Sequence, residues 1–404
     1  MTKKANLFNR ETPNMTIMAN LLRCQQKKKS VRTRNGKRVV KPSKQMDIVD
    51  HHATGIQFQD DIIMEILIRL PVKSLLQFKC VSKSWQALIS DPYFKMKHLN
   101  HAKNNHKLLV CQSSLDRGDM ERTIKFSFYV SPLSNIQEFG CLSKYVQELD
   151  FPSTYKPFEC HLFCCLSGLA VLGFVSKFDQ LFLWNPSTRE STLLPHLEFT
   201  RLRTMFGLGY DAMSDGYKIL KLDVHRVDQP FVEILSLKSG SWRKICYYPT
   251  AICPRLGQKN VIYPCQNCGL CVDTMVFVHG AFHWLGKTIS RTYHLASFSS
   301  SNEVYGEIPL LEQIHITNED VLSNYGLSLV EEMVCVSSTH KHQGWGTFKL
   351  WVMKDYGVKE SWTVLFTIRL SDIVYAKLKY RFANGEVLLY LFETLANAPW
   401  SKTV

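Results

Sequence analysis

Two hydrophobic rhythms divide the chain. Between residues 60 and 90 the apolar positions recur at helical spacing. Ile62, Ile63, Ile66, Leu67 and Leu70 form one stripe, Val72, Leu75, Leu76, Phe78 and Val81 a second, and Trp85, Leu88 and Ile89 a third. This recurrence predicts three short amphipathic helices. Asp60 and Asp61 suit an N-cap and an acidic first turn. Pro71 cannot continue a helix and predicts a corner, and Asp91-Pro92 predicts the end of the block. Met64 and Ile68 fall off the main stripe, which predicts a second apolar face turned towards a partner. Three helices in about forty residues bury little surface alone. The block therefore reads either as a docking module that another protein covers or as a small helical cap on the domain that follows.

After His101 the pattern changes to short alternating segments rich in aromatic and β-branched residues, punctuated by Gly, Ser, Asn and Asp. The longest apolar run, Leu162 to Val175, is broken by Ser167, Gly168 and Gly173 and predicts two buried strands around a turn. A polar turn after an aromatic strand recurs. It appears at Trp184-Asn185-Pro186-Ser187-Thr188, at Leu237-Lys238-Ser239-Gly240-Ser241-Trp242, near Ser299-Ser300-Ser301-Asn302, and at Lys354-Asp355-Tyr356-Gly357 before Ser361-Trp362. The markers Ser187, Ser239, Ser301 and Tyr356 are 52, 62 and 55 residues apart. A period of that order with several strands per repeat predicts propeller blades, about five or six of them. A pair of β-sandwiches is the alternative architecture.

Charge adds a third region. The net charge is +14, yet residues 1–50 hold 13 Lys/Arg against 3 acids, so the remainder is nearly balanced. Residues 1–54 read as a basic segment without regular structure. Within it Lys27, Lys28, Lys29, Arg32, Arg34, Lys37 and Arg38 resemble a nuclear import signal, with a solvated basic tail or an organelle transit peptide as alternatives. The N-terminus lacks the basic-then-apolar order of a secretory signal, and no run of eighteen apolar residues exists to cross a membrane. The thirteen cysteines are then expected as free thiols in the reducing nucleus or cytoplasm.

Three patterns suggest chemistry, and each has a plainer reading. Cys265, Cys268 and Cys271 have ligand spacing for zinc, but a fourth ligand would have to come from Cys253 or His279. A cysteine-rich loop between blades is the expectation. Gly207-x-Gly209-x-x-Ala212 matches a relaxed dinucleotide fingerprint, which requires a following helix; Met213-Ser214-Asp215-Gly216 predicts a turn instead. The glycines then serve close packing of strands. His279 and His283 share a face but lack the adjacent Glu of a zinc protease. No catalytic constellation, cofactor or metal is indicated.

The helical block resembles the plant F-box, a module that plugs proteins into a cullin-type ubiquitin ligase. Asp61, Glu65, Ile66, Leu67, Arg69, Leu70, Pro71, Lys73, Ser74, Leu75, Leu76, Phe78, Val81, Lys83, Ser84 and Trp85 match that pattern in register. Phe58-Gln59 stands where the family has Leu-Pro, and Ile62 where it has Leu. The resemblance implies an F-box at 55–101. Its Skp-binding residues would be Asp61, Ile62, Glu65, Ile66, Leu67, Leu70, Pro71, Val72, Leu75 and Leu76, with Val81 and Trp85 holding the helices together.

The remainder, 102–404, resembles the plant F-box-associated domain. Five segments carry the likeness: Trp184 to Thr188, Phe206 to Asp211, Asp215 to Leu220, Val278 to Trp284 and Leu350 to Gly357. The end from Thr394 to Val404 departs from the family pattern. The resemblance implies a mainly β chain with an N-terminal α-helical F-box and a propeller-like substrate domain. It would be a non-catalytic adaptor that joins a Skp-type linker, and through it a cullin, to an unknown target. The alternatives are a propeller enzyme of the kelch type and a nucleic-acid binder acting through the basic tail. The tail lacks interleaved aromatics for base stacking.

Overall fold

A computed structural model describes residues 16–22, 60–101, 106–116, 123–134, 147–150, 159–175, 179–197, 199, 204–223, 231–245, 253–254, 275–287, 293–311, 314, 323–342, 345–371 and 373–393. The chain separates into two compact units, residues 24–104 and residues 1–23 with 105–404.

Among the described residues the smaller unit holds four helices: α1 (Asp60–Leu67), α2 (Val72–Phe78), α3 (Lys83–Ser90) and α4 (Pro92–His101). Pro71 makes the expected corner, and its carbonyl accepts the first amides of α2, from Ser74 and Leu75. Ser82 caps α3, its hydroxyl accepting from the Trp85 amide at 3.1 Å. Asp91-Pro92 does not end the block. The Asp91 carboxylate accepts the amides of Tyr93 (2.6 Å) and Phe94 (3.3 Å), so it opens α4. Proline in the first turn of a helix loses no hydrogen bond, because that amide has no partner within the helix.

The larger unit is a five-bladed β-propeller, within the expected five or six. Blade 1 contains β1 (Thr16–Leu22), β2 (Lys107–Asp116), β3 (Thr123–Pro132) and β4 (Gln147–Leu149). Blade 2 contains β5 (Glu159–Leu166), β6 (Leu169–Val175), β7 (Gln180–Asn185) and β8 (Glu190–Leu193). Blade 3 contains β9 (Thr204–Asp211), β10 (Gly216–Asp223), β11 (Phe231–Ser236) and β12 (Ser241–Ile245). Blade 4 contains β13 (Cys253–Pro254), β14 (Val276–Val278), β15 (Ala281–Lys287), β16 (Tyr293–Ser299) and β17 (Tyr305–Ile308). Blade 5 contains β18 (Ser323–Val330), β19 (Met333–His342), β20 (Trp345–Met353) and β21 (Trp362–Ser371). A hairpin of β22 (Ile373–Arg381) and β23 (Val387–Glu393) completes the ring. The strand at Thr16–Leu22 departs from the expectation that residues 1–54 hold no regular structure.

Each blade buries both faces against its neighbours. Phe128 of blade 1 meets Trp184 of blade 2 at 4.8 Å between ring centres, and Phe163 of blade 2 meets Phe206 of blade 3 at 4.6 Å. The hairpin fills the remaining gap. Ala376 and Leu378 pack on Cys335 and Phe348 of blade 5, while Phe382 and Leu388 pack on Leu108 and Val110 of blade 1. The run Leu162 to Val175 forms β5, a turn at Ser167-Gly168, and β6, as its pattern predicts. Ser167 and Gly168 both take positive φ there.

Candidate functional site

In the helical unit the residues sort into an interior and an outer face. Leu67, Ile68, Leu75, Ile89 and Phe94 are buried together, with Ile63, Met64, Leu70, Phe78, Trp85 and Leu88 packed around them. The outer face of α1 carries Ile62, 47% exposed, and Ile66, 53% exposed, one helical turn apart. Asp61, Pro71 and Leu76 are also exposed, and Val72 is half-buried. Ile62, Ile66 and Leu76 are thus apolar side chains that the unit's own core leaves uncovered.

Three sequence expectations need correction. Met64 and Ile68 face the interior, not a partner, because positions 63, 64, 67 and 68 share the side of α1 that α2, α3 and α4 cover. Leu67 and Leu75 are core residues, 1% and 5% exposed, with almost no area left for docking. Val81 is 63% exposed and does not hold the helices together; Trp85 does, edge-on to Phe78 at 5.5 Å. Glu65 stays on the surface and also pairs within the unit. Its carboxylate lies 2.6 Å from Lys97 Nζ on α4, and that hydrogen bond holds it below the ordinary carboxylate range.

Two exposed residues escaped the sequence reading. Tyr93 and Met96 lie on α4, in the stretch taken to follow the block's end. The signal was present in Asp91-Pro92, a cap followed by a first-turn proline. His98 ties α4 back to the corner, its Nε2 2.9 Å from the Leu70 carbonyl.

In the propeller the four repeated turns all join the third strand of a blade to its fourth. Asn185 Oδ1 accepts from the amides of Ser187 (3.0 Å) and Thr188 (3.3 Å), which explains the Asn-Pro-Ser-Thr sequence as an Asx turn. The tryptophan after the turn has its own task. Trp242 Nε1 donates to the Pro195 carbonyl at 3.1 Å, and Trp362 Nε1 to the Pro309 carbonyl at 2.9 Å. Each links the fourth strand of one blade to the residue just past the preceding blade's last strand, so the repeat encodes a staple between blades.

Blades 3 and 4 share a polar cluster. The buried Asp211 carboxylate accepts from Ser214 Oγ and Ser301 Oγ, both at 2.6 Å, and from the Met213 amide at 3.0 Å. Lys218 Nζ lies 2.9 Å from it and also donates to the Ser300 carbonyl at 2.7 Å. Burial opposes ionisation of Asp211, but these donors outweigh it and hold the carboxyl well below its usual range. Gly207 and Gly209 sit under the same joint. A Cβ on Gly207 would lie 2.5 Å from Met275 Sδ, and one on Gly209 2.5 Å from the Phe277 ring. The glycines therefore serve close packing, and a strand turn follows them rather than a phosphate-binding helix.

His279 and His283 converge on Tyr356 of blade 5 rather than forming a helical pair. Among the described residues, no three His, Cys, Asp or Glu side chains gather as a metal site. Cys265, Cys268 and Cys271, the import-signal candidates Lys27 to Arg38, Phe58-Gln59 and the end from Thr394 lie outside the described residues. Among those described, Cys80, Cys111, Cys160, Cys164, Cys165 and Cys335 are free thiols. Burial pushes Cys165 and Cys335 up to about 12. They are packing residues, not nucleophiles.

The strands of a blade alternate in direction, so its first and third turns emerge on one face of the disc and its second turn and onward connection on the other. The first face is made of tight turns rich in positive φ, at Ser167-Gly168, Arg189, Asp215, Gly240, His279-Gly280, Glu303, Glu331-Glu332 and Gly357. The fourth strands β8 and β17 end, and the next blades' first strands β9 and β18 begin, at the other.

The F-box associated beta propeller domain family matches residues 142–394, and the F-box domain family matches residues 57–97. F-box protein At5g49610 of Arabidopsis thaliana is 28% identical, over 79% of this chain and 81% of its own. F-box/kelch-repeat protein At3g23880 of the same plant is 26% identical, over 78% and 80%. F-box protein CPR1 is 24% identical, over 76% and 72%. With a helical unit that leaves apolar side chains uncovered and a propeller built on the family's landmarks, the chain belongs to the F-box proteins that carry an F-box-associated β-propeller.

Proposed function

We propose that this chain is the substrate-recognition subunit of a Skp–cullin–F-box ubiquitin ligase. The observation that carries the reading is the exposed pair Ile62 and Ile66, continued by Pro71 and Leu76, on a unit whose core is complete without them. A Skp-type linker covering that face would remove this apolar area from water. The propeller would hold the target. The chain itself then does no bond chemistry. Holding a target beside a ubiquitin-charged enzyme raises the effective concentration of its lysines, and proximity supplies the rate.

The test is co-purification with a Skp-type protein, wild type against Ile62→Asp/Ile66→Asp. These positions are exposed, so the variant keeps its helical circular dichroism and loses the complex. Equal recovery of a folded variant and the wild type would overturn the reading.

A further inference from the structure

The first blade takes its innermost strand from the part of the sequence that precedes the helical unit. β1 pairs with β2 over its whole length, from Thr16 opposite Ser113 to Leu22 opposite Lys107. Around the centre of the disc it lies between β22 of the closing hairpin and β5 of blade 2. The compact propeller unit accordingly comprises residues 1–23 as well as 105–404. The F-box is thus an insertion between the first and second strands of a blade. Strands β1 to β3 lie outside the 142–394 span of the family match.

Without β1, an edge of β2 loses its ladder partner and the inner strands on either side lose a neighbour. The sequence Thr-Ile-Met-Ala-Asn-Leu-Leu suits the position. Ile17, Ala19 and Leu21 share one side of the strand, Met18, Asn20 and Leu22 the other, so both sides are mainly apolar. The segment ahead of the F-box sits in the slot as a tethered peptide would, by strand addition to an open sheet edge.

We propose that residues 16–22 are a closing strand, and that the slot bounded by β2, β5 and β22 is a binding site for an extended peptide of this alternating apolar chemistry. The occupant is the chain's own N-terminal segment. It remains bound when the covalent link through the F-box is cut.

The test places a protease site in residues 24–59 of the full-length protein. After cleavage the N-terminal fragment is followed by gel filtration at about 0.5 M salt, where attraction of its basic residues to the rest of the protein is screened. The wild-type fragment is expected to co-elute with the remainder, and an Ile17→Asp/Leu21→Asp fragment to separate. Separation of the wild-type fragment overturns the proposal, as does equal retention of both. A second measurement needs no cleavage. Deleting residues 1–23 is expected to lower the melting temperature of the propeller transition by roughly 5 °C or more, and a synthetic peptide of residues 14–24 to restore it. An unchanged melting temperature, or no response to the peptide, overturns the proposal.

Discussion

The hydroxyl of Tyr356, in the last described turn of blade 5, lies 2.7 Å from Nε2 of the buried His283 in blade 4. The same ring packs on His279 at 4.6 Å. A single turn residue thus closes the joint between two blades. Tyr356→Phe removes the hydrogen bond while keeping the ring contact. It is expected to destabilise the propeller by about 1 kcal/mol, read by chemical denaturation.

His283 also gives the propeller a pH dependence of defined sign. Burial pushes its imidazole down to about 4 from the ordinary 6.5. Between those values the unfolded chain binds a proton that the folded chain refuses, so stability falls as pH drops through that window. The loss approaches roughly 3 kcal/mol at the lower end. A His283→Gln variant should show a flatter stability profile between pH 6.5 and 4, whatever its absolute stability; an identical slope would disprove this assignment.

Asp211 is the hub of the joint between blades 3 and 4. Its lowered carboxyl contributes stability that is present above the unfolded pKa and lost as pH falls below it. Asp211→Asn weakens the donors' charged acceptor but leaves Lys218 with Glu303 at 3.7 Å and the Ser300 carbonyl, and should cost about 2 kcal/mol. Ser301→Ala removes one donor and should cost about 1 kcal/mol. The double variant should fall short of the sum, since both residues belong to one network.

The tryptophan staples should behave otherwise. Trp242→Phe and Trp362→Phe each delete a hydrogen bond to a proline carbonyl while keeping an aromatic ring. Each should lower stability by about 1 kcal/mol. The two bonds belong to different pairs of blades, so the combined loss should be additive.

Gly209→Ala tests the close approach of blades 3 and 4. The added methyl has no space beside Phe277 and Phe282, and overpacking of this kind costs about 1–3 kcal/mol. Gly216→Ala, whose Cβ would meet only the flexible Lys238 side chain at 3.4 Å, serves as the tolerated comparison.

How much of this was legible beforehand differs between the two units. The blade repeat could be read because each marker turn performs the same task, joining third to fourth strand, and tasks set by backbone geometry leave the same residue types behind. Asn185 and Gly240 are such residues. Helical periodicity also placed α1 to α3 correctly. It could not decide which side of α1 was inner, because Ile62, Ile63, Met64, Ile66, Leu67 and Ile68 make the helix apolar nearly all round. That choice was made by α4, which covers one side and had gone unrecognised behind Pro92. The strand at Thr16–Leu22 was hidden for another reason. Its neighbours are basic and polar, and its partner β2 is far away in sequence.

The inner strand of blade 4 comes in two pieces, β13 and β14, that pair with the same neighbour, β15. Pro254 stands opposite Gly286 and Val276 opposite His283, so only Trp284 and Leu285 of β15 face the gap between them. Two residues would continue the strand, and the sequence sets twenty-one, 255–275, between the two partners. The register of β15 is therefore held from both ends by its own ladder, whatever the number of residues between Pro254 and Val276.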